Sequence, residues 1–201
     1  MSQTAFSRMN AEAFFAWQET QDALYELVDG YPLRMMSGAE NRHDDITVNL
    51  IVAIDAKLTG KPCRPSTQDT AIKISDTQIR RPDMAINCGP SRSKTFYAID
   101  PRAVFEILSR STRNFDLTKK LEEYKCVASL THIVLIDPDT PEVIAFQRAA
   151  GESWASRTFA GIESALEFAD LGFVLTLAEI YRGLEFRARP MLVAGELADG
   201  G

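Results

Sequence analysis

The chain has 201 residues, a formal net charge of -6 and a sequence pI of about 5.0. Its 45% hydrophobic and 25% charged content is that of a globular domain with a sizeable core, and no apolar run has the length of a bilayer span. The acidic balance argues against nucleic-acid binding over the whole surface. Three widely spaced cysteines, Cys63, Cys88 and Cys126, form no CxxC pair and argue against zinc and a disulfide framework; all three read as incidental thiols. The first residues lack the charged-then-apolar pattern of a secretory signal, so cytoplasm is the expected compartment.

In chain order, residues 9–18 have a helical pattern with Asn10 as N-cap. Residues 25–36 read as a hairpin turning at Asp29-Gly30. Apolar residues at 46, 50, 52, 54 and 58 predict a helix over 43–58. After a break at 60–65 come three strands, 69–74, 83–87 and 103–109, the last two separated by a long polar loop. Residues 116–124 read as a helix, 131–136 as a buried strand and 142–148 as another, with 154–159 as its partner. A last helix is expected over 173–182 and a frayed tail beyond 188. The order predicts a single α/β (α+β) domain over 1–188 whose mixed central sheet is covered on both faces.

The middle of the chain is basic, with Arg80, Arg81, Arg102, Lys119 and Lys120 among its charges. It also carries two apolar runs with one acid each, Arg81-Pro82-Asp83-Met84-Ala85-Ile86 and Val104-Phe105-Glu106-Ile107-Leu108. A carboxylate in such a run is costly to bury without a partner. Asp83 and Glu106, with the main-chain carbonyl of Ile107, offer a hard oxygen set suited to magnesium, which keeps several waters of its own. A lysine beside that site can stabilise charge developing on a phosphate. The plainer readings are an Asp83 that merely caps a turn and a Glu106–Lys120 salt bridge that unites the same residues. His43 could contact substrate or serve as a helix-start residue, the structural reading being the plainer one; His132 reads as structural, and Trp17 and Trp154 as packing residues.

Several pieces together resemble the Uma-type restriction endonuclease group of the PD-(D/E)XK nuclease superfamily. They are Tyr25-Glu26-Leu27-Val28-Asp29-Gly30, His43 opening a helix, Arg81-Pro82-Asp83, Phe105 to Thr112, Asp116 to Tyr124, and Val134-Leu135-Ile136-Asp137-Pro138. The resemblance spans residues 9–186. It implies a restriction-endonuclease-like fold with an N-terminal hairpin, and a divalent metal (Mg2+, with Mn2+ as substitute) held by Asp83, Glu106 and Ile107. It implies hydrolysis of DNA phosphodiester bonds, and a homodimer suits cleavage of both strands. The usual motif position for the lysine holds Leu108, so the lysine has moved to the following helix. Asp116, Lys120 and Tyr124 share one helical face while Lys119 turns about 100° away, which selects Lys120. Glu26 is implied as a further acid reaching the site, with pairing to a nearby Arg or Lys as its alternative. Arg110 stands where the family often has proline. A catalytically inactive nuclease-fold module that binds nucleic acid or protein is the rival expectation.

Overall fold

Short apolar strands from the middle of the chain assemble a six-stranded mixed sheet in the order β10 (Trp154–Ala160), β9 (Glu142–Arg148), β8 (His132–Ile136), β7 (Pro101–Ile107), β6 (Met84–Asn87) and β3 (Arg64–Thr67). The structure is a computed structural model that describes residues 7–35, 41–90, 95–108, 116–149 and 153–186. Arg110 and the rest of the segment 109–115, residues 91–94 of the long polar loop and the expected tail lie outside the described residues. β7 and β8 run parallel, and the other neighbours are antiparallel.

Strand alternation sends the side chains of β7 to two cores. Ala103, Phe105 and Ile107 join Ile46, Leu50, Ile54 and Leu58 of α2 (Asn41–Leu58). Val104 turns the other way, to a core that includes Ile133, Leu135 and Tyr124 of α3 (Asp116–Lys125), with Leu108 packed against it. The central strands are thus covered on both faces. No helix among the described residues is long and apolar enough to cross a membrane.

A second sheet has the order β2 (Tyr31–Arg34), β1 (Tyr25–Val28), β5 (Gln78–Arg80), β4 (Ile72–Ser75). The β1–β2 hairpin closes through Asp29 and Gly30, whose φ values of 52° and 87° are the left-handed pair of a tight two-residue turn. α1 (Ala11–Gln18) starts at Asn10, whose Oδ1 accepts from the Ala13 N–H at 2.9 Å. It buries Phe14 and Phe15 with Leu27, Ala71 and Ile79.

Three features differ from the sequence expectation. The stretch 173–182 is not one helix: β12 (Phe173–Thr176) pairs with β11 (Ala165–Phe168), and only a single turn, α4 (Leu177–Ile180), follows the Thr176 capping box. Its first half alternates buried and exposed residues, the period of a strand. Strands β3 and β5 come from polar stretches that carry little strand pattern. Cys63 and Cys88 are not incidental thiols but a disulfide. The β3–β6 register pairs Arg64 with Asn87, so one step further sets the two cysteines opposite each other; Cys126 is free and exposed.

Candidate active site

Asp83 sits at the bend that leads into β6. The β6–β7 register pairs Met84 with Phe105, so one further step brings Asp83 opposite Glu106. Directly opposed residues of an antiparallel pair lie close together on one face. Asp83 Oδ2 accepts from the Ile107 N–H at 2.7 Å. The N–H of Leu108 goes to Ile136 on the opposite side, so the Ile107 carbonyl shares the Asp83 side of the strand. The other oxygen, Oδ1, lies 3.1 Å from His43 Nε2 on the first turn of α2.

Glu106 is buried, 7% exposed, and is approached from α3. Tyr124 donates its hydroxyl to Glu106 Oε1 at 2.7 Å, and Lys120 Nζ stands 3.7 Å from the same oxygen. Lys120 is closer to Glu26 Oε1, at 3.1 Å. Both Glu26 oxygens are taken: Oε1 also accepts from the Arg81 N–H at 3.1 Å, and Oε2 from Arg80 at 2.8 Å. This is the Arg and Lys pairing held open as the alternative for Glu26.

The two lysines of α3 stand in different surroundings. Lys120 and Tyr124, one turn apart, both face Glu106, whereas Lys119 is half-exposed and pairs with Asp29 at 3.0 Å. The side chain of Asp116 lies outside the described residues.

The electrostatics are uneven. Burial pushes the Glu106 carboxyl up to about 7; Lys120 and the Tyr124 hydrogen bond oppose the shift, and the charges of Asp83 and Glu26 add to it. For Glu26 burial works against the ion, but Lys120, Arg80 and the Arg81 N–H hold its carboxyl below the usual range. The His43 imidazole is raised, foremost by its hydrogen bond to Asp83. Burial disfavours the Lys120 ammonium, yet Glu106 and Glu26 keep its pKa above the ordinary lysine value, so it is charged at neutral pH.

Among the described residues no group of three or more His, Cys, Asp and Glu side chains is disposed to hold a metal ion. The donor set nevertheless fits a hard cation that keeps water ligands: two carboxylates from adjoining strand ends and a main-chain carbonyl on their side. The Glu106 carboxyl is raised by its own burial and by the charge of Asp83, so a cation placed beside it would favour its ionised form.

Sequence reasoning left His43 between a substrate contact and a helix-start residue and did not pair it with Asp83, which its ring meets. Its position at the mouth of an apolar helix was the available signal. Arg80 and Glu123 were not singled out. Arg80 binds Glu123 at 2.6 and 3.1 Å as well as Glu26, from a three-residue strand that leaves no pattern to read. His132 is structural as expected, buried at the start of β8 with Nε2 2.6 Å from Asp170.

A six-stranded mixed sheet beside an N-terminal hairpin sheet is an architecture shared with a solved structure. The crystal structure of "a putative nuclease belonging to DUF820" from Anabaena variabilis ATCC 29413 matches with a TM-score of 0.66 at 16% identity, over 83% of this chain and 94% of that one, a likeness of fold. Residues 11–178 match the family model described as "Uma2: Putative restriction endonuclease", and the chain belongs to that family. An uncharacterized protein of Synechocystis sp. (strain ATCC 27184 / PCC 6803 / Kazusa) is 28% identical over 183 residues, 90% of this chain and 95% of the relative.

Proposed function

We propose that this protein is a divalent-metal-dependent endonuclease that hydrolyses DNA phosphodiester bonds. The observation that carries the reading is the meeting of Asp83, Glu106 and Lys120, drawn from a bend, a strand and a helix, around a buried carboxyl raised to about 7. Membership of a restriction-endonuclease family supports the same class of chemistry. Asp83, Glu106 and the Ile107 carbonyl would hold magnesium, or manganese in its place. When bound, such an ion polarises a phosphate and lowers the pKa of a water.

The protein's own groups supply the rest. His43 and the Ile107 N–H fix the two oxygens of Asp83. Tyr124 fixes one oxygen of Glu106. Lys120 carries an ammonium that meets negative charge gathering on the phosphate as the bond to the leaving oxygen lengthens. Glu26 holds that ammonium in place. A homodimer would present two such sites to the two strands of a duplex, and sedimentation at several concentrations tests it.

The decisive experiment incubates plasmid with purified protein and Mg2+ or Mn2+, beside Asp83→Ala and Lys120→Ala. Cleavage by the wild type alone is expected; equal cleavage by all three proteins overturns the assignment. Calorimetry with Mn2+ tests the rival, a non-catalytic binding module, which predicts no uptake at millimolar metal.

A further inference from the structure

The buried ionic network does not end at the two acids and the lysine. Glu123 lies three residues after Lys120 on α3, on the flank of the same helical face. Its carboxylate takes two hydrogen bonds from Arg80, at 2.6 and 3.1 Å, and one from Gln78 Nε2 at 2.6 Å. The third Arg80 contact goes to Glu26 at 2.8 Å. Gln78 Oε1 in turn accepts from the Asp29 N–H in the hairpin turn at 2.7 Å. Arg80 is 5% exposed and Glu123 14%, so the contacts are shielded from water.

One planar guanidinium therefore joins an acid on β1 to an acid on α3, a span that the forked geometry of arginine allows and the point charge of lysine does not. The α3 side of the joint is one turn from Lys120, and the β1 side is Glu26, which itself grips Lys120 at 3.1 Å. The small sheet thus holds α3 at two adjacent points.

We infer that Arg80 and Glu123 form a positioning clamp that locks α3 against β1 and β5 and so sets Lys120 between Glu26 and Glu106. Neither residue touches the reacting atoms; both act through Lys120. The kinetic part of the inference rests on the role proposed for Lys120 above, whereas the placement of that lysine is open to measurement without turnover.

The test uses the full chain and the variants Glu123→Gln and Arg80→Lys, each near its parent in size, with Asp29→Asn as a control that breaks only the exposed Lys119 contact. Brief acylation with acetic anhydride, read peptide by peptide by mass spectrometry, reports each lysine against Lys57 on α2. The expected result is a several-fold rise in Lys120 labelling in both clamp variants and no such rise in the control. In a wild type that cleaves, kcat should fall by about tenfold or more while KM for DNA holds, as for a misplaced reacting group. Lys120 labelling equal to the wild type overturns the clamp. A uniform rise at Lys119, Lys120 and Lys125 also overturns it, because that pattern marks general loosening of α3. Unchanged kcat in a cleaving protein overturns the positioning role. If the wild type cleaves nothing, the nuclease reading falls and the labelling alone decides the clamp; should one variant not fold, the other carries the measurement.

Discussion

Lys120 Nζ lies 3.1 Å from Glu26 Oε1 and 3.7 Å from Glu106 Oε1, so one ammonium is shared by two buried acids of opposite tendency. Glu26 is held as an anion by Lys120, Arg80 and the Arg81 N–H, whereas among the described residues Lys120 and a tyrosine hydroxyl act against the burial of Glu106. The pair is unequal: Glu26 has its charge matched by Lys120 and Arg80, whereas burial outweighs what Lys120 and Tyr124 give Glu106.

Asp83→Ala should abolish Mn2+ binding, because it removes one of the two carboxylates of the donor set. His43→Ala should weaken it by about tenfold, the usual cost of losing the group that orients a ligand. Isothermal titration of both variants checks the order, and a His43→Ala protein that binds Mn2+ like the wild type would refute the orienting role.

Lys120→Met should lower cleavage by about 10²-fold or more, the scale of losing a preorganised charge at a transition state. It should leave Mn2+ binding measurable, since both carboxylates remain. The same change strips Glu26 and Glu106 of a cation, so the melting temperature should fall. Single-turnover cleavage beside calorimetry separates the two effects.

Stability should depend on pH in a window set by Glu106. Its folded carboxyl is raised to about 7, above its unfolded value near 4.5. Between those values the folded chain binds the extra proton, so stability falls as pH rises through the window. Glu26 is shifted the other way, and its contribution is lost only as pH drops below the ordinary glutamate value. Urea titrations from about pH 5 to about pH 8 without metal should show the decline, and Mg2+ should flatten it by favouring the ionised Glu106. A curve that rises across this range would contradict the assignment.

Cys88→Ser should destabilise the chain by about 2–4 kcal/mol, because the Cys63–Cys88 bridge closes a loop of 25 residues in sequence that the unfolded chain would otherwise leave free. Denaturation with and without reductant gives the comparison. Reductant should shift the wild type and leave Cys88→Ser unmoved.

Gly30→Ala should weaken the hairpin that carries Glu26. A Cβ there would meet the Arg8 side chain, and the φ of 87° is strained for any residue with a Cβ. The expected loss is about 1 kcal/mol or more, read as a lowered melting temperature.

The parts of the site legible in the sequence were those governed by local period. Glu106 stood out because its neighbours in the strand are apolar, and Lys120 because helical spacing sets it with Tyr124 and apart from Lys119. The hairpin was legible because Asp29-Gly30 accepts left-handed φ values that few other dipeptides tolerate. α2 was legible from its apolar residues, of which Ile46, Leu50, Ile54 and Leu58 are buried and Val52 is exposed. Fold class and the placement of the acids on adjoining strands followed from these.

Tertiary structure alone decided the rest. Arg80 meets Glu26 across 54 residues and Glu123 across 43, and the ring of His43 reaches Asp83 from another element. Cys63 finds Cys88 because β3 pairs with β6 in one particular register. The strand at 173–176 was read as helix because its two-residue alternation is too short to tell from a helical pattern in sequence, and its conformation is set by pairing with β11. Contacts of this kind depend on which strands become neighbours, and that is decided when the cores above and below the sheet close. Sequence by itself determined which side chains could do chemistry; the closed sheet determined that Asp83, Glu106 and Lys120 stand in company, with Arg80 and Glu123 behind them.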